Sequence, residues 1–224
     1  MDLSARPAAT VKLVGGRLCL DFLNTVGGRR KQMAGRRGLA DSVIILNDKL
    51  NDYFDLLAWS RHAAVIDEAE LQLLVREAKR REQEAAKVFA RTVKLREAIY
   101  RICQTIINHT KPLSLDLELF NEELLQARSH ERLSRLGSSF TWEWTAEGNA
   151  LDQILWPIVR SAAELFTTGD LTRLRECGGE DCRWIFEDNS RNRSRQWCTM
   201  QDCGNVAKVR RFRSRHRDDG DERN

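Results

Sequence analysis

The sequence predicts a mainly α-helical protein with a small β-hairpin, in which an N-terminal helical domain precedes a C-terminal, treble-clef-like zinc finger. Apolar residues recur every three or four positions over most of residues 50–168. Four cysteines form two pairs between residues 177 and 203. A chain of 224 residues is long enough for one larger core with a small module attached to it.

The first predicted helices lie between residues 50 and 110. Asn and Asp residues ahead of the first helix can cap it. Asp67 and Glu70 have the spacing of a capping box, so a second helix begins there. We place a break near residues 81–83, because an unbroken helix would run past about 40 residues. The apolar positions that define these helices are Leu50, Phe54, Leu57, Val88, Thr92, Leu95, Ile99, Ile102 and Ile106.

Two further helices and a hairpin are predicted after residue 110. One helix begins at Ser114 or Asp116, after a proline turn. Alternation in residues 131–146, around a Gly-Ser-Ser turn, predicts the hairpin. Pro157 forces a kink or a new start in the last long helix, because proline lacks the backbone N–H that a helix interior uses. Inward positions are Leu117, Phe120, Leu124, Ala127, Leu151, Ile154, Leu155, Ile158, Ala162, Leu165 and Phe166.

The distribution of charge divides the chain into two parts. The formal net charge is +4. Residues 177–217 contain ten Lys or Arg residues against five acidic ones, a local net charge of +5, so the rest is nearly neutral. Any polyanion-binding surface is therefore expected beside the cysteines. We assign residues 1–170 to the helical domain, 171–217 to the finger and 218–224 to an acidic, disordered tail.

The sequence predicts a cytoplasmic protein with no membrane partner. No run approaches the roughly 18 apolar residues that a membrane-spanning helix needs. The N-terminus lacks the basic start, apolar stretch and cleavage site of a signal peptide. The cysteines are then expected to be reduced. Asp170 can cap a short helix that leads into the first cysteine, so we expect no flexible linker between the two parts.

The four paired cysteines predict a metal centre. They follow the pattern C-x4-C-x15-C-x4-C at Cys177, Cys182, Cys198 and Cys203. Thiolates on two tight loops can meet at one tetrahedral point, which suits Zn(II). Four protein ligands leave no position for a catalytic water, so we predict one structural zinc ion per chain. Iron–sulfur ligation and four unligated thiols are the alternatives.

The residues around the cysteines predict the shape of the finger. Residues 183–186 and 195–197 are β-prone and flank a polar turn, so we expect them to pair as a hairpin. A basic helix follows the last cysteine, with Val206, Val209 and Phe212 as a narrow apolar stripe. A knuckle, a hairpin and a helix around one zinc ion form a treble-clef-like layout. Zinc binding is expected to supply much of the folding free energy of so small a module.

The basic residues of the finger are candidates for contact with double-stranded DNA. A guanidinium group can bind two phosphate oxygens or a guanine edge at once, whereas lysine would serve equally well for solubility and is nearly absent here. An ordinary solvated surface is the alternative. The candidates are Arg191, Arg193 and Arg195 at the predicted hairpin tip, and Lys208, Arg210, Arg211, Arg213 and Arg215 on the helix.

The helical domain carries no catalytic motif. The phosphate-binding, dinucleotide-binding, zinc-protease and hydrolase motifs are absent from the sequence, so we expect no enzyme activity. Arg17, Asp21 and Asn24 either line a small-molecule pocket or form a buried polar network that orders the N-terminal segment. Cys19 and Cys103 are expected to be core thiols rather than redox groups. Packing roles are predicted for Trp59, Trp142, Trp144 and Trp156 in the core, and for Trp184 and Trp197 in the finger.

At these residues the chain resembles the CGNR zinc-finger proteins, bacterial transcription regulators with an N-terminal domain called ABATE. Segment 177–205, followed by a basic helix, is similar to their finger. The segment GGRLCLDFLNT at 15–25 is similar to the start of their N-terminal domain, and segments 55–61 and 95–100 are also similar. The resemblance implies zinc on the four matching cysteines and DNA binding through the finger.

One position departs from that family's signature. Cys-Gly-Asn-Arg reads here as Cys203, Gly204, Asn205 and Val206. The contact that the arginine makes is therefore missing, or is made by Lys208 or Arg210.

These features predict a zinc-binding, DNA-binding transcription regulator whose helical domain senses a signal or mediates dimerisation. A lone small finger binds weakly, so a homodimer is one candidate assembly, and a small-molecule effector is a further candidate partner. Two other functions are kept as alternatives. One is a zinc-stabilised module that binds a protein or RNA, and the other is a small-molecule-binding protein with a structural finger.

Overall fold

The computed structural model describes residues 3–32, 42–145 and 150–221. Within these residues helices dominate, and the strands form three separate antiparallel pairs. In chain order the elements are α1 (Leu18–Leu23), β1 (Val26–Gln32), β2 (Ser42–Asp48), α2 (Tyr53–His62), α3 (Glu68–Arg80), α4 (Glu82–Ile107), α5 (Ser114–Ser129), β3 (Glu131–Leu136), β4 (Ser139–Trp144), α6 (Trp156–Thr168), β5 (Leu174–Glu176), β6 (Ile185–Glu187) and α7 (Asn205–Asp221).

The helix boundaries follow the signals in the sequence. The carboxylate of Asp67 accepts the N–H of Glu70 at 2.9 Å, and the Glu70 side chain accepts the N–H of Asp67 at 2.8 Å, which is the predicted capping box. The chain breaks between α3 and α4 at Arg81, as predicted. Pro157 lies in the first turn of α6, where a missing N–H costs nothing, so it marks a new helix and not a kink.

Among the described residues, two large apolar clusters form the main interior, and a third, small one surrounds the paired cysteines. The first joins the N-terminal segment to α2, α3 and the start of α4, and it contains Trp59, whose ring centroid lies 5.5 Å from that of Phe22. The second joins α1, α4, α5 and α6 around Trp156. Leu174 of β5 and Ile185 of β6 are fully part of this second cluster. The strands beside the first cysteine pair therefore belong to the main core.

Helix α5 buries acidic residues that the sequence analysis did not assign to the interior. Asp116 pairs with Arg101 at 2.6 Å and Glu123 pairs with Arg91 at 2.8 Å, so the contact between α4 and α5 is partly ionic. A buried carboxylate is tolerated because a guanidinium neutralises it and donates hydrogen bonds to it. The prediction that Leu117 faces the interior is wrong, since it is 39% exposed.

The β3–β4 hairpin forms where the alternation predicts it. Its two-residue turn begins at Gly137, whose φ of +61° lies in the left-handed region that favours glycine. Trp144 packs at the base, 5.9 Å from Trp156 between ring centroids. Trp142 is 50% exposed, so the prediction that it lies in the core is wrong. Residues 146–149, at the end of the predicted hairpin segment, lie outside the described part of the chain.

A second hairpin, β1–β2, was not predicted, because β1 carries glycines and charges, β2 carries a short apolar run, and neither strand has an alternating pattern. Two fully buried arginines attach it to α4. Arg96 donates to both carboxylate oxygens of Asp48 at 2.5 and 2.8 Å and to Glu97 at 3.0 Å. Arg29 also binds Glu97, at 3.1 Å, and stacks 3.9 Å above the ring of Tyr100.

Among the described residues, no helix is long and apolar enough to cross a membrane.

The capping box of α3 gives a first test of this fold. Asp67→Ala removes the acceptor for the N–H of Glu70 and is expected to lower the free energy of unfolding by about 1 kcal/mol, measured by urea denaturation. Asp67→Ser keeps an acceptor at the same position and should retain most of that stability. Equal losses in the two variants would contradict the role assigned to the cap.

Candidate metal centre

The four cysteines come from three short segments that the fold brings together. Cys177 directly follows β5, and Cys182 lies on the turn that leads into β6. The N–H of Cys177 donates to the carbonyl of Trp184 at 2.8 Å, which extends the β5–β6 pairing up to the first ligand. Cys198 lies in an irregular loop, and Cys203 lies in the turn Met200–Gly204 at the start of α7.

The four Sγ atoms lie within 4.8 Å of one another. Sγ of Cys198 is 3.6 Å from the Sγ atoms of both Cys182 and Cys203. Hydrogen bonds lower the pKa of Cys177, first from the thiols of Cys182 and Cys198, then from the backbone N–H groups of Cys198 at 3.2 Å and Gly179 at 3.5 Å. The cluster therefore contains at least one thiol that is readily deprotonated.

This arrangement fits zinc. Four thiolates at this separation repel one another strongly, and a divalent cation at their centre offsets that repulsion. All four ligands come from the protein, so the site holds one structural zinc ion and has no free position for chemistry. Gly179 is needed beside the ligands, because a Cβ atom there would lie 2.9 Å from Sγ of Cys203.

The hairpin predicted between residues 183–186 and 195–197 does not form. Strand β6 pairs instead with β5, which precedes the first cysteine. The loop after β6 closes on the buried carboxylate of Asp188. Burial alone would raise the pKa of this carboxyl, but hydrogen bonds from Ser190 and from the N–H of Arg195 lower it. Because residues 190 and 195 both bond to Asp188, the chain between them forms a closed loop and not an extended strand. The treble-clef layout as a whole stays a prediction.

Two of the three arginines predicted at the hairpin tip are engaged within the protein. Arg195 stacks 4.0 Å above the ring of Phe186, and its guanidinium donates to the carbonyls of Val14, Trp197 and Cys198. Arg195 therefore has a structural role, because it joins the N-terminal segment to the loop that carries Cys198. Arg193 binds Asp170 at 3.3 Å. Arg191 is exposed, and no ion pair involves it within the described part of the chain.

Helix α7 carries the remaining basic candidates. Lys208, Arg211 and Arg213 are exposed. Arg210 forms an ion pair with Glu180 of the zinc knuckle. The side chain of Arg215 lies outside the described part. The helical backbone continues to Asp221, and so extends into the segment 218–224 for which the sequence predicts disorder. Residues 222–224 lie outside the described part.

Asn24 attaches the finger to the helical domain. Its side chain is fully buried, and its Nδ2 donates to the carbonyl of Ile185 at 2.9 Å while its Oδ1 accepts the N–H of Ile185 at 3.0 Å. The amide thus supplies the hydrogen bonds that a neighbouring strand would give to β6. The N–H of Glu187, at the end of β6, donates to the carbonyl of Gly15 at 2.8 Å.

Arg17 and Asp21 order the same region. Arg17 pairs with Glu187 at 3.0 Å, and Asp21 accepts the N–H of Gly15 at 2.7 Å. Burial raises the pKa of Asp21 despite this hydrogen bond. Together with Asn24, these side chains form hydrogen bonds and an ion pair within the chain itself.

Several contacts at the metal centre were missed by the sequence analysis. The indole N–H of Trp184 donates to the carbonyl of Val26 at 2.7 Å, and the N–H of Arg29 donates to the carbonyl of Cys182 at 3.1 Å, so β1 packs directly on the zinc knuckle. A Cβ atom at Gly28 would overlap the backbone beside Cys182. Gly27 and Gly28, at the start of β1, are therefore the sequence feature from which this close contact of two backbone segments could have been predicted.

A groove of about 990 Å³ borders the metal centre. Trp184 and Trp197 form part of its wall, between the N-terminal segment, the β1–β2 hairpin and the start of α7. Lys12 at its rim pairs with Asp202 at 2.6 Å, so some of its charge is neutralised internally.

The two remaining thiols are in the core, as predicted. Cys19 and Cys103 are fully buried. Burial raises the pKa of Cys19 to about 12 and also raises that of Cys103, so both stay neutral and poorly reactive near neutral pH.

Comparisons with known families agree with this geometry. Residues 173–216, which contain all four cysteines, match the family described as "CGNR zinc finger". Residues 16–169 match ABATE, described as "Putative stress-induced transcription regulator". The chain belongs to the ABATE family. A search of curated proteins found no match to the chain. The two matched ranges confirm the resemblance to the CGNR zinc-finger proteins. Zinc binding by the four cysteines was expected from that resemblance.

The CGNR signature itself is altered at Val206. This residue is 51% exposed in the first turn of α7, so an arginine at the same position would reach solvent without a change in the core. Gly204 is buried, and a Cβ atom there would lie 2.7 Å from the sulfur of Met200, so a larger residue would displace the exposed side chain of Met200.

The zinc ligands can be tested individually. Each Cys→Ser substitution at Cys177, Cys182, Cys198 or Cys203 is expected to abolish most zinc binding. The number of zinc ions per chain is measured by inductively coupled plasma mass spectrometry. Cys103→Ala removes a thiol from the core and should keep one zinc ion per chain. Full zinc content in Cys182→Ser would rule out the proposed ligand set.

The attachment at Asn24 gives a separate prediction. Asn24→Leu leaves the N–H and the carbonyl of Ile185 buried without partners and is expected to destabilise the protein by about 2–4 kcal/mol in urea unfolding. The matched control is Asn121→Leu, the same substitution at an exposed position of α5, and it should change stability by less than about 0.5 kcal/mol. A neutral effect of Asn24→Leu would show that the finger is held by other contacts.

Proposed function

We propose that this ABATE-family protein is a transcription regulator that binds double-stranded DNA and acts by binding, not catalysis. The observation that carries the proposal is α7, a 17-residue basic helix that begins two residues after the ligand Cys203. Its family membership supports a regulatory role. The zinc ion fixes the start of the helix, and the exposed basic side chains of the helix would then face the duplex.

The basic residues that remain available define the proposed surface. They are Arg191 in the loop after β6 and Lys208, Arg211 and Arg213 on α7, all exposed. Positions 208 and 211 are three residues apart and so share one side of the helix. We leave Arg195 and Arg193 out of the proposed surface, because the guanidinium of Arg195 donates to the carbonyl of Cys198 and that of Arg193 pairs with Asp170. The proposed interface is therefore smaller than the total of basic residues suggests.

The expected binding has a large electrostatic part. Each Lys or Arg that neutralises a phosphate releases condensed counterions, so the affinity falls steeply as salt rises. These contacts hold the helix on the backbone, and contacts to base edges would give any sequence preference. The groove beside the metal centre offers space for a small-molecule effector that would contact both the N-terminal segment and the finger.

The proposal predicts the effect of removing two charges from α7. The double variant Lys208→Ala and Arg211→Ala should weaken binding to duplex DNA and reduce the slope of log affinity against log salt by about 2, measured by fluorescence anisotropy. The matched control is Arg76→Ala with Lys79→Ala, which removes two exposed basic residues from α3 and should leave both quantities unchanged.

The outcomes separate the alternatives. Tighter binding to single-stranded RNA than to duplex DNA, with the same dependence on Lys208 and Arg211, would assign the surface to RNA. An unchanged affinity and salt slope in the double variant would overturn the role of α7. Selection from a random duplex library at physiological salt then shows whether the binding is sequence-specific.

A further inference from the structure

The β3–β4 hairpin exposes apolar side chains that the core does not cover. Its base is anchored, because Glu131 pairs with Arg160 at 3.2 Å and Trp144 packs near Trp156. Beyond that base, Leu133 is 58% exposed, Phe140 67% and Trp142 50%. A two-stranded hairpin in water is marginally stable at best, so such a surface needs a partner.

The exposed residues share one face. Leu133 is paired with Trp142, and the next pair on the same face joins Arg135 to Phe140. Trp144 lies on this face too, since residues two apart in a strand point the same way. The face therefore carries three aromatic residues of β4 in a row.

The outer edge of β4 is open. The turn pairs Leu136 with Ser139, and the N–H of Thr145 donates to the carbonyl of His130 at 2.7 Å. Because hydrogen-bonded pairs alternate in an antiparallel ladder, the N–H and carbonyl groups of Phe140 and Trp142 point away from β3. In the described part of the chain no strand pairs with that edge. It also lacks the proline that commonly protects an edge strand.

We propose that a second copy of the chain pairs with β4 in antiparallel orientation, with the two Trp142 residues facing each other across a two-fold axis. This register places Phe140 opposite Trp144 of the other copy and Thr141 opposite Glu143. No like charges are then directly opposite, and the aromatic faces of the two hairpins become continuous. A two-fold axis needs one surface that is complementary to itself, and the order Phe-Thr-Trp-Glu-Trp meets that requirement.

Two observations favour β4 and a second copy over the other edge. At the base of β3, Glu131 is held by Arg128 at 3.4 Å and Arg160 at 3.2 Å, so ionic contacts with the neighbouring helices surround that edge. On β4, the one charged side chain is Glu143, which lies 3.5 Å from Arg132 of the same hairpin. The β4 edge therefore offers little uncompensated charge to an acidic or basic partner, and Arg135, on the same face of β3, donates its Nε–H to the carbonyl of Gly137.

The size of the patch predicts a weak dimer. A Phe or Trp side chain can bury roughly 150–250 Å², so the half-exposed side chains of this face contribute on the order of 300 Å² per copy. Stable interfaces bury about 800 Å² per partner. We therefore expect dissociation in the micromolar range. The dimer forms without nucleic acid. It would carry two zinc fingers, and so would bind a DNA duplex that contains two binding sites more tightly than the monomer does.

Charge placed at position 142 tests the register. In sedimentation velocity of the full zinc-loaded chain, the unmodified protein should form dimers over micromolar concentrations. W142K and W142E, each alone, should weaken the dimer at least about tenfold, because two like charges then meet at the two-fold axis. An equimolar mixture of the two variants should recover most of the association, since opposite charges now face each other.

The matched control is L136K. Leu136 is 65% exposed on the opposite face of the same hairpin, so its replacement should leave the dimer intact. Equal zinc content and thermal midpoints in all variants establish that the fold is retained. A monomer at every concentration, a dimer that tolerates W142K, or a mixture no better than either variant alone would each overturn the proposal.

Discussion

The attachment of β6 to α1 is the constraint on which the rest of the structure depends. Strands β5 and β6 have three residues each, too few to be stable as an isolated pair. Asn24 completes the second edge of β6 with two buried hydrogen bonds, and Ile185 enters the main core between them. Since Cys177 follows β5 directly, the core also fixes the position of the first zinc ligand.

The same attachment explains why the basic residues of the finger are not equivalent. A partly buried guanidinium needs acceptors, and that of Arg195 donates to carbonyls of both the N-terminal segment and the loop that carries Cys198. Arg193 and Arg210 are neutralised by Asp170 and Glu180. The number of basic residues in the finger therefore overstates how many are available to a partner, and those that remain exposed lie mainly on α7.

Local signals predicted most of the helices and the zinc ligands, because caps and cysteine spacing act over a few residues. Long-range choices were not predictable. The run Leu174–Glu176 has no alternation long enough to identify a strand, so its pairing with β6 in place of residues 195–197 could not be foreseen. The acceptor for Arg195 at Val14 is remote in sequence. The sequence also does not indicate which face of an aromatic hairpin packs against the core. Trp142 was predicted to lie in the core and is 50% exposed.

These contacts revise what the metal does. A free-standing finger would need zinc for its folding, but here β5 and β6 are held by the core, and Cys198 is held through Arg195. Cys203 differs, because it lies in the turn that becomes α7, and α7 has exposed residues on every side. The bond from zinc to this cysteine, together with the ion pair between Arg210 and Glu180, then fixes the direction of the helix relative to the core. Loss of zinc should release α7 while β5 and β6 stay in place, so the metal acts chiefly to orient the basic helix.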